Sequence, residues 1–386
     1  MNDGSVRPER VLHIVSGMNR GGAETMIMNI YRHTDRRHIQ FDFISHREET
    51  CDYDPEIITR GGRVFYVPSI GRSGPLAYIK NIRRILVEKG PYAAVHAHTD
   101  FQTGFAALAA KLAGVPVRVC HSHNTAWKPN PRFWDTWQLL AFRRLIFSSA
   151  TALCACGKDA GRFLFGGKKM GENAVHLLQN GIELDRFKEA NGVSKTDAKK
   201  SFGIKEDALV IGHVGRFFEQ KNHAFLLGLA AHFKKSGTPF QAVFAGDGPL
   251  RRQMEEKAAA LGVKDDILFL GVVEDIPALM QTFDVFAMPS LFEGLPLVLV
   301  EAQASGLPCI VSDHITEETD LGLGLLTNLS LNAGFERWAE DISRAAQAKK
   351  PAWPEIERSL AERGYDAKAN LARLMDIYSI SAAEGQ

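Results

Sequence analysis

The strongest constraint on this chain is a regular alternation of short apolar runs with longer amphipathic stretches. Arg10–Ser16, Gln40–Ser45, Arg63–Pro68, Ala93–His98, Val117–His121, Thr151–Ala155 and Ala174–Gln179 are predicted as strands. Between them, segments such as Pro75–Glu88 and Gln102–Ala113 carry the helical period. Strand–helix alternation of this kind implies parallel βαβ units with helices on both faces. The pattern weakens through Glu183–Asn191 and then restarts. Leu209–Gly215, Phe240–Ala245, Ile267–Leu270, Val285–Met288 and Cys309–Ser312 form a second strand series. The expected class is α/β, with two doubly wound Rossmann-like domains at 1–190 and 191–362 hinged near 185–195. Within the tail, 363–386, the stretch Arg363–Ser379 is expected to be one helix.

Composition narrows the class further. At 386 residues the chain is long enough for two domains of ordinary size. An apolar share of 45% beside 24% charged residues is that of a soluble globular protein. No apolar run reaches the roughly 18 residues that span a bilayer. The polar opening MNDGSVRPER does not read as a signal peptide. Five scattered cysteines, an odd number, suggest a reduced, cytoplasmic protein. The net charge of +1 hides an asymmetry: residues 1–190 hold 26 Lys+Arg and 18 Asp+Glu, leaving 20 and 27 for the remainder. A basic first half suits an anionic membrane surface or a diphosphate-linked acceptor. No nucleic-acid partner is expected.

Function is written most densely in Leu291-Phe292-Glu293-Gly294-Leu295-Pro296-Leu297-Val298-Leu299-Val300-Glu301-Ala302. It follows an apolar strand ending at Met288, and ligands of open α/β sheets bind at the carboxyl ends of strands. Pro296 is expected in the first turn of a helix, where its missing N–H costs nothing. The first-turn amides of Leu297 and Val298 then offer a phosphate site. Two carboxylates eight residues apart, Glu293 and Glu301, flank that site. One can hold a sugar hydroxyl and the other a ribose.

Other strand ends add charge and flexibility. After the strand Leu209–Gly215 come Arg216 and Lys221, five residues apart. Arg216 offers a fork for phosphate oxygens and Lys221 a point charge. Gly21-Gly22-Ala23-Glu24 follows the first strand and opens a helix, allowing backbone close to a phosphate. His121 and His123 share one strand face, a spacing that could bind metal, but no third ligand is apparent nearby in the sequence. His96 and His98 read as structural or acceptor-side. Asp52-Tyr53-Asp54 looks like a metal motif but falls in a loop of the first series and is taken as coincidence. Gly181 of Asn180-Gly181-Ile182 is expected at positive φ. Phe133, Trp137, Leu140 and Arg144 recur on one helical stripe, which suits either a lipid headgroup layer or a packed core face.

The segment from Asp284 to Ile310 resembles the glutamate-x7-glutamate signature of glycosyltransferase family 4, whose members are retaining, nucleotide-sugar-dependent enzymes of GT-B fold. The G-G-A-E, H-S-H-N-T, N-G-I-E and G-R-x4-K segments match the same family, and no matched motif position is lost. The resemblance implies that the donor lies in an interdomain cleft and that the last helix returns to the first domain. It implies Gly22, Arg216, Lys221, Leu295, Leu297, Val298 and Glu301 as donor-binding, and His123 and Glu293 as catalytic, with His121 the fallback for His123. It implies no cofactor and no metal, since cations and a helix N-terminus supply the charge. The implied reaction moves a sugar, UDP-linked by family frequency, to a saccharide or lipid-linked saccharide hydroxyl in surface polysaccharide biosynthesis. A sugar-nucleotide epimerase of the same fold, or a non-catalytic glycan- or partner-binding protein, are the alternatives.

Overall fold

The computed structural model describes residues 8–124 and 133–380; the side chains of residues 133–136 lie outside that description. The chain forms two compact units, Met1–Ile182 with Gly364–Gln386, and Glu183–Arg363. Residues 183–190 thus belong to the second unit.

The first unit is built on seven strands. They are β1 (Glu9–Val15), β2 (Ile39–Ser45), β3 (Val64–Tyr66), β4 (Ala94–Ala97), β5 (Val117–Ser122), β6 (Ala152–Ala155) and β7 (His176–Leu177). All pair in parallel, in the order β3-β2-β1-β4-β5-β6-β7. Val11, Leu12, Ile14, Phe41, Phe43 and Val95 are fully buried, as expected of a sheet covered on both faces. Chain order reverses between β1 and β4, the switch point where such sheets open a crevice.

The second unit repeats the plan with β8 (Leu209–Val214), β9 (Phe240–Ala245), β10 (Ile267–Gly271), β11 (Val285–Met288), β12 (Cys309–Ser312) and β13 (Leu326–Leu329). Their order is β10-β9-β8-β11-β12-β13, again all parallel, with the reversal between β8 and β11. Sequence reading misses β13, because this four-residue edge strand, Leu-Thr-Asn-Leu, is only half-buried and has no apolar run.

Three local expectations change. The last helix spans Ala367–Tyr378 where Arg363–Ser379 was expected, and Asp366 caps it by accepting from the Lys368 amide at 2.8 Å. It belongs to the first unit, where the Tyr378 hydroxyl reaches Nδ1 of His96 at 2.6 Å. Gly181 is not among the positive-φ residues. Its constraint is space: a Cβ there would stand 2.9 Å from the Ala367 backbone and 2.8 Å from Nδ2 of Asn370. The stripe on the helix Phe133–Ser149 is not a core face, since Trp137 and Leu140 are exposed, at 59% and 46%, as is Arg144. That helix packs inward through Ile146 instead. The side chains of Phe133 and of Trp134, expected beside the stripe, lie outside the described residues.

Candidate active site

Each switch point gathers its own set of candidate residues. In the second unit the loop after β8 carries Arg216 and Lys221, and the loop after β11 carries Glu293. Two backbone ties hold the first loop against its neighbour: Gly215 N–H donates to Ala245 at 2.9 Å and Phe217 N–H to Asp247 at 3.0 Å. Gly246 makes this approach possible. It has φ +134, and a Cβ there would sit 2.1 Å from the Gly215 carbonyl oxygen. Arg216 is exposed, with its guanidinium 4.7 Å from the Phe218 ring centre.

Lys221 does not stand alone. Its Nζ lies 2.7 Å from Oε1 of Glu293, and both side chains are largely buried. Gln220 adds a second grip, donating to Oε2 of Glu293 at 3.1 Å and to the Phe292 carbonyl at 2.9 Å. Asn222 donates to the Pro289 carbonyl at 3.1 Å, so the two loops are laced together. Behind them lies a buried pair of imidazoles, His213 and His223. Burial drives the pKa of His213 down to about 4 and that of His223 to about 2. His223 stacks on Phe217 at 3.9 Å, so the floor under Arg216 and Lys221 is uncharged.

The helix after Glu293 is Leu297–Ala304, with Pro296 as its N-cap rather than inside its first turn. The amides of Leu297 and Val298 lie in that first turn, where no intrahelical acceptor exists. Half-buried Leu295 and Gly294 lead into it. Glu301, one turn on, is half-buried, and desolvation raises its carboxyl pKa to about 7 against a smaller opposing pull from Arg186. This carboxyl therefore titrates near neutrality.

In the first unit Gly22 opens the helix Gly22–Arg32 just after β1, with Asn180 beside it. His123 follows β5, its backbone N–H donating to Oδ1 of Asp100 at 2.9 Å. Asp100 holds φ +47, a strained setting for a non-glycine residue, and also accepts from Asn124. The surroundings of His123 overturn one premise of the sequence reading. His98, His121 and His123 hold ring nitrogens within 4.8 Å of one another, as do His13, His96 and His98. A third imidazole thus lies beside His121 and His123. Burial lowers the pKa of all five, to about 4 for His123 and about 3 for His13.

Asp52 and Asp54 diverge in use. Asp52 accepts from the Arg20 amide, whereas buried Asp54 accepts from the Cys51 amide at 2.8 Å and the Tyr66 hydroxyl at 2.9 Å. A cavity of about 380 Å³ opens at the carboxyl ends of β1, β2 and β4, lined by Ser16, Arg47, Arg72 and Gln102 among others. Sequence reading did not single out Gln220, Arg186 or Asp100. Only Asp100, with its left-handed backbone, carries an independent mark, and that mark is conformational.

Comparison with known proteins fits this layout. The family model described as "Glycosyl transferase 4-like domain" matches residues 21–181, and "Glycosyl transferases group 1" matches 194–319. EpsF of Bacillus subtilis (strain 168), provisionally named a glycosyltransferase, is 60% identical over 373 residues, 97% of each chain. This chain is a family 4 glycosyltransferase. A second relative of this glycosyltransferase is UDP-Gal:alpha-D-GlcNAc-diphosphoundecaprenol alpha-1,3-galactosyltransferase of Escherichia coli. That enzyme is 31% identical over 262 residues, 65% of this chain and 66% of its own. Among solved structures, Anabaena HepE in complex with UDP and glucose superposes with a TM-score of 0.72 at 19% identity, over 96% of this chain and 99% of that one. WaaG, a glycosyltransferase involved in lipopolysaccharide biosynthesis, gives 0.68 at 17% identity, over 96% and 97%. The fold is GT-B.

Proposed function

We propose that this glycosyltransferase moves a sugar from UDP to a hydroxyl of a lipid-diphosphate-linked saccharide, with retention at the anomeric carbon, in surface polysaccharide biosynthesis. The observation that carries the reading is the gathering of Arg216, Lys221, Glu293 and the first turn of Leu297–Ala304 around one switch point. UDP is supported by the solved complexes of HepE and by the donor in the name of the E. coli relative, which also names a diphosphoundecaprenol-linked acceptor.

The chemistry follows from charge. As the bond from the anomeric carbon to the donor phosphate breaks, negative charge grows on the diphosphate. Arg216, Lys221, the loop at Gly22 and the Leu295, Leu297 and Val298 backbone neutralise it. Lys221 has three N–H donors, so it serves phosphate while still holding Glu293. Glu293 takes sugar hydroxyls, Glu301 the ribose, and His123 contacts the sugar near its reacting end. The acceptor hydroxyl attacks from the same face as the departing phosphate, which takes the hydroxyl's proton. Two cations and a helix N-terminus supply the charge that a metal supplies elsewhere. Arg47 and Arg72 of the first-unit cavity suit the acceptor's diphosphate. The exposed Trp137, Leu140 and Arg144 suit the anionic inner face of the membrane where such an acceptor sits.

The test is UDP release from UDP-sugars with and without a lipid-linked acceptor, in excess EDTA. Acceptor-dependent release that survives EDTA and collapses in Arg216→Ala is the expected outcome. Acceptor-independent release would mean an epimerase or hydrolase. Rescue by Mg²⁺ or Mn²⁺ would end the metal-free reading.

A further inference from the structure

Five histidines line one face of the first sheet, and three of them form an unbroken chain. Nδ1 of His13 lies 3.1 Å from Nε2 of His98, and Nδ1 of His98 lies 2.9 Å from Nε2 of His123. The two outer nitrogens, Nε2 of His13 and Nδ1 of His123, are buried and have no partner among the described residues. Burial keeps all three imidazoles neutral near pH 7, so each carries one ring hydrogen.

Counting hydrogens then restricts the states. Each link needs one hydrogen, donated from one side only. If His98 carries its hydrogen on Nδ1, it donates to His123, whose own hydrogen must sit on Nδ1. His98 then accepts through Nε2 from Nδ1–H of His13. If His98 carries its hydrogen on Nε2, every ring is reversed. Both links are therefore intact in two states only, all-Nδ1–H or all-Nε2–H, and the surplus hydrogen falls at opposite ends of the chain.

The two ends are unlike. Nε2 of His13 belongs to a ring that is 1% exposed, stacked on Phe43 and 4.4 Å from the Phe41 ring centre. Both outer nitrogens are buried, so the carboxylate that acts on each end decides where the surplus hydrogen sits. The carboxylate that acts on the His13 ring, Asp42, is already held by Arg10, Arg63 and the Tyr92 hydroxyl. At the other end Asp100 grips the His123 amide and favours positive character on that ring. The hydrogen is better placed at the His123 end. A second chain, Tyr378–His96–His121, runs alongside at 2.6 and 3.1 Å and stacks His96 on His98. It does not break either link.

We infer that His98 and His13 are positioning residues that lock His123 as the Nδ1–H tautomer, so that His123 offers the donor sugar a hydrogen-bond donor and no free lone pair. The functional half of this statement rests on the reading of His123 given above. Its consequence is that His123 is not a base: Nδ1 is already protonated and Nε2 is occupied by His98. The proton of the attacking hydroxyl must leave by another route, which is the departing phosphate oxygen.

Long-range ¹H–¹⁵N spectra of the ¹⁵N-histidine-labelled full chain read each tautomer directly. The expected result is a protonated Nδ1 and an unprotonated Nε2 in His13, His98 and His123, unchanged from pH 6 to 8. A protonated Nε2 on any of the three, or titration within that range, would overturn the lock. So would a stoichiometric transition metal retained by the purified protein, since an ion shared by His98, His121 and His123 would replace the linking hydrogens. In His98→Phe the ring nitrogens of His123 should move to intermediate positions, a tautomer mixture. Unmoved positions would refute the coupling. If that variant fails to fold, the wild-type spectrum still decides. Turnover of His123→Ala separates the two claims: wild-type turnover beside the assigned tautomers removes the sugar contact and leaves the lock standing.

Discussion

Lys221 and Glu293 stand 72 residues apart in the chain and 2.7 Å apart in space. The pair joins the two loops that flank the β8/β11 switch point. A buried carboxylate at this place needs a cation in the absence of ligand, and the diphosphate of the proposed donor would need the same cation. The pair thus compensates the Glu293 charge when the site is empty and holds the Lys221 ammonium in place.

Removing one partner should therefore already carry part of the cost of removing the other. Lys221→Ala strands Glu293 and deletes a charge-assisted contact worth about 1.5–3 kcal/mol, so kcat/KM should fall roughly ten- to 150-fold. Arg216→Ala should fall in the same range. The double variant Lys221→Ala with Glu293→Gln should be clearly less impaired than the product of its two singles. Strictly multiplicative losses in a double-mutant cycle would show that the two groups act independently.

Glu301 gives a pH dependence with a definite sign. Its carboxyl is raised from 4.5 to about 7 by desolvation, and in the proposed ribose-binding role it must ionise to accept from the sugar. A nucleotide sugar carries fixed diphosphate charge across this range, so Glu301 sets the profile. Affinity should rise about tenfold from pH 6 to pH 8 in wild type and stay flat in Glu301→Gln. Stability runs the other way. The folded state holds this proton more tightly than the unfolded state, so the carboxyl costs stability as pH climbs from 4.5 to 7, and fully above 7. The melting temperature of Glu301→Gln relative to wild type should therefore climb between pH 5 and pH 8. Parallel melting profiles and a pH-independent wild-type affinity would exclude the shifted carboxyl.

Legibility in the sequence followed the range of the interactions. Both sheets could be read because buried parallel strands are continuous apolar runs, and β13 could not because its short edge strand is half-exposed. Arg216, Lys221 and Glu293 were found as residues on strand-end loops and Glu301 inside the helix that follows, but the pairing of Lys221 with Glu293 depends on which strands become neighbours. The same holds for the imidazole chain. His121 and His123 were visible as an i, i+2 pair, yet the residue beside them, His98, arrives from the adjacent strand. Gly181 was assigned to backbone conformation because the approach of Ala367 and Asn370 leaves no trace in the local sequence.

That approach makes Gly181→Ala a test of packing. A methyl group at 2.9 Å from the Ala367 backbone has no room, and the helix Ala367–Tyr378 must shift to admit it. Overpacking of this kind costs about 1–3 kcal/mol. Denaturant melts should show that loss in the transition of the first unit. An unchanged midpoint would mean the closing helix yields freely.

The exposed face of Phe133–Ser149 bears on where the enzyme works. Trp137, Leu140 and Phe147 are exposed at 59%, 46% and 41%, and Arg144 joins them on the solvent side. Lys169 Nζ lies 6.0 Å from the Phe147 ring centre, so cations border the apolar side chains. Aromatic and basic residues interleaved in this way suit a headgroup layer, where rings enter the acyl boundary and cations meet anionic phosphates. The excess of 26 basic over 18 acidic residues in 1–190 acts in the same direction. Sedimentation with anionic liposomes at low salt should carry the protein down, and high salt should release most of it. A combined Trp137→Ser, Leu140→Ser and Arg144→Glu variant should stay in the supernatant while keeping its melting temperature, because none of the three is a core residue. Equal pelleting with neutral liposomes would reduce the effect to exposed apolar surface, and a variant that pellets like wild type would move the docking face elsewhere on the molecule.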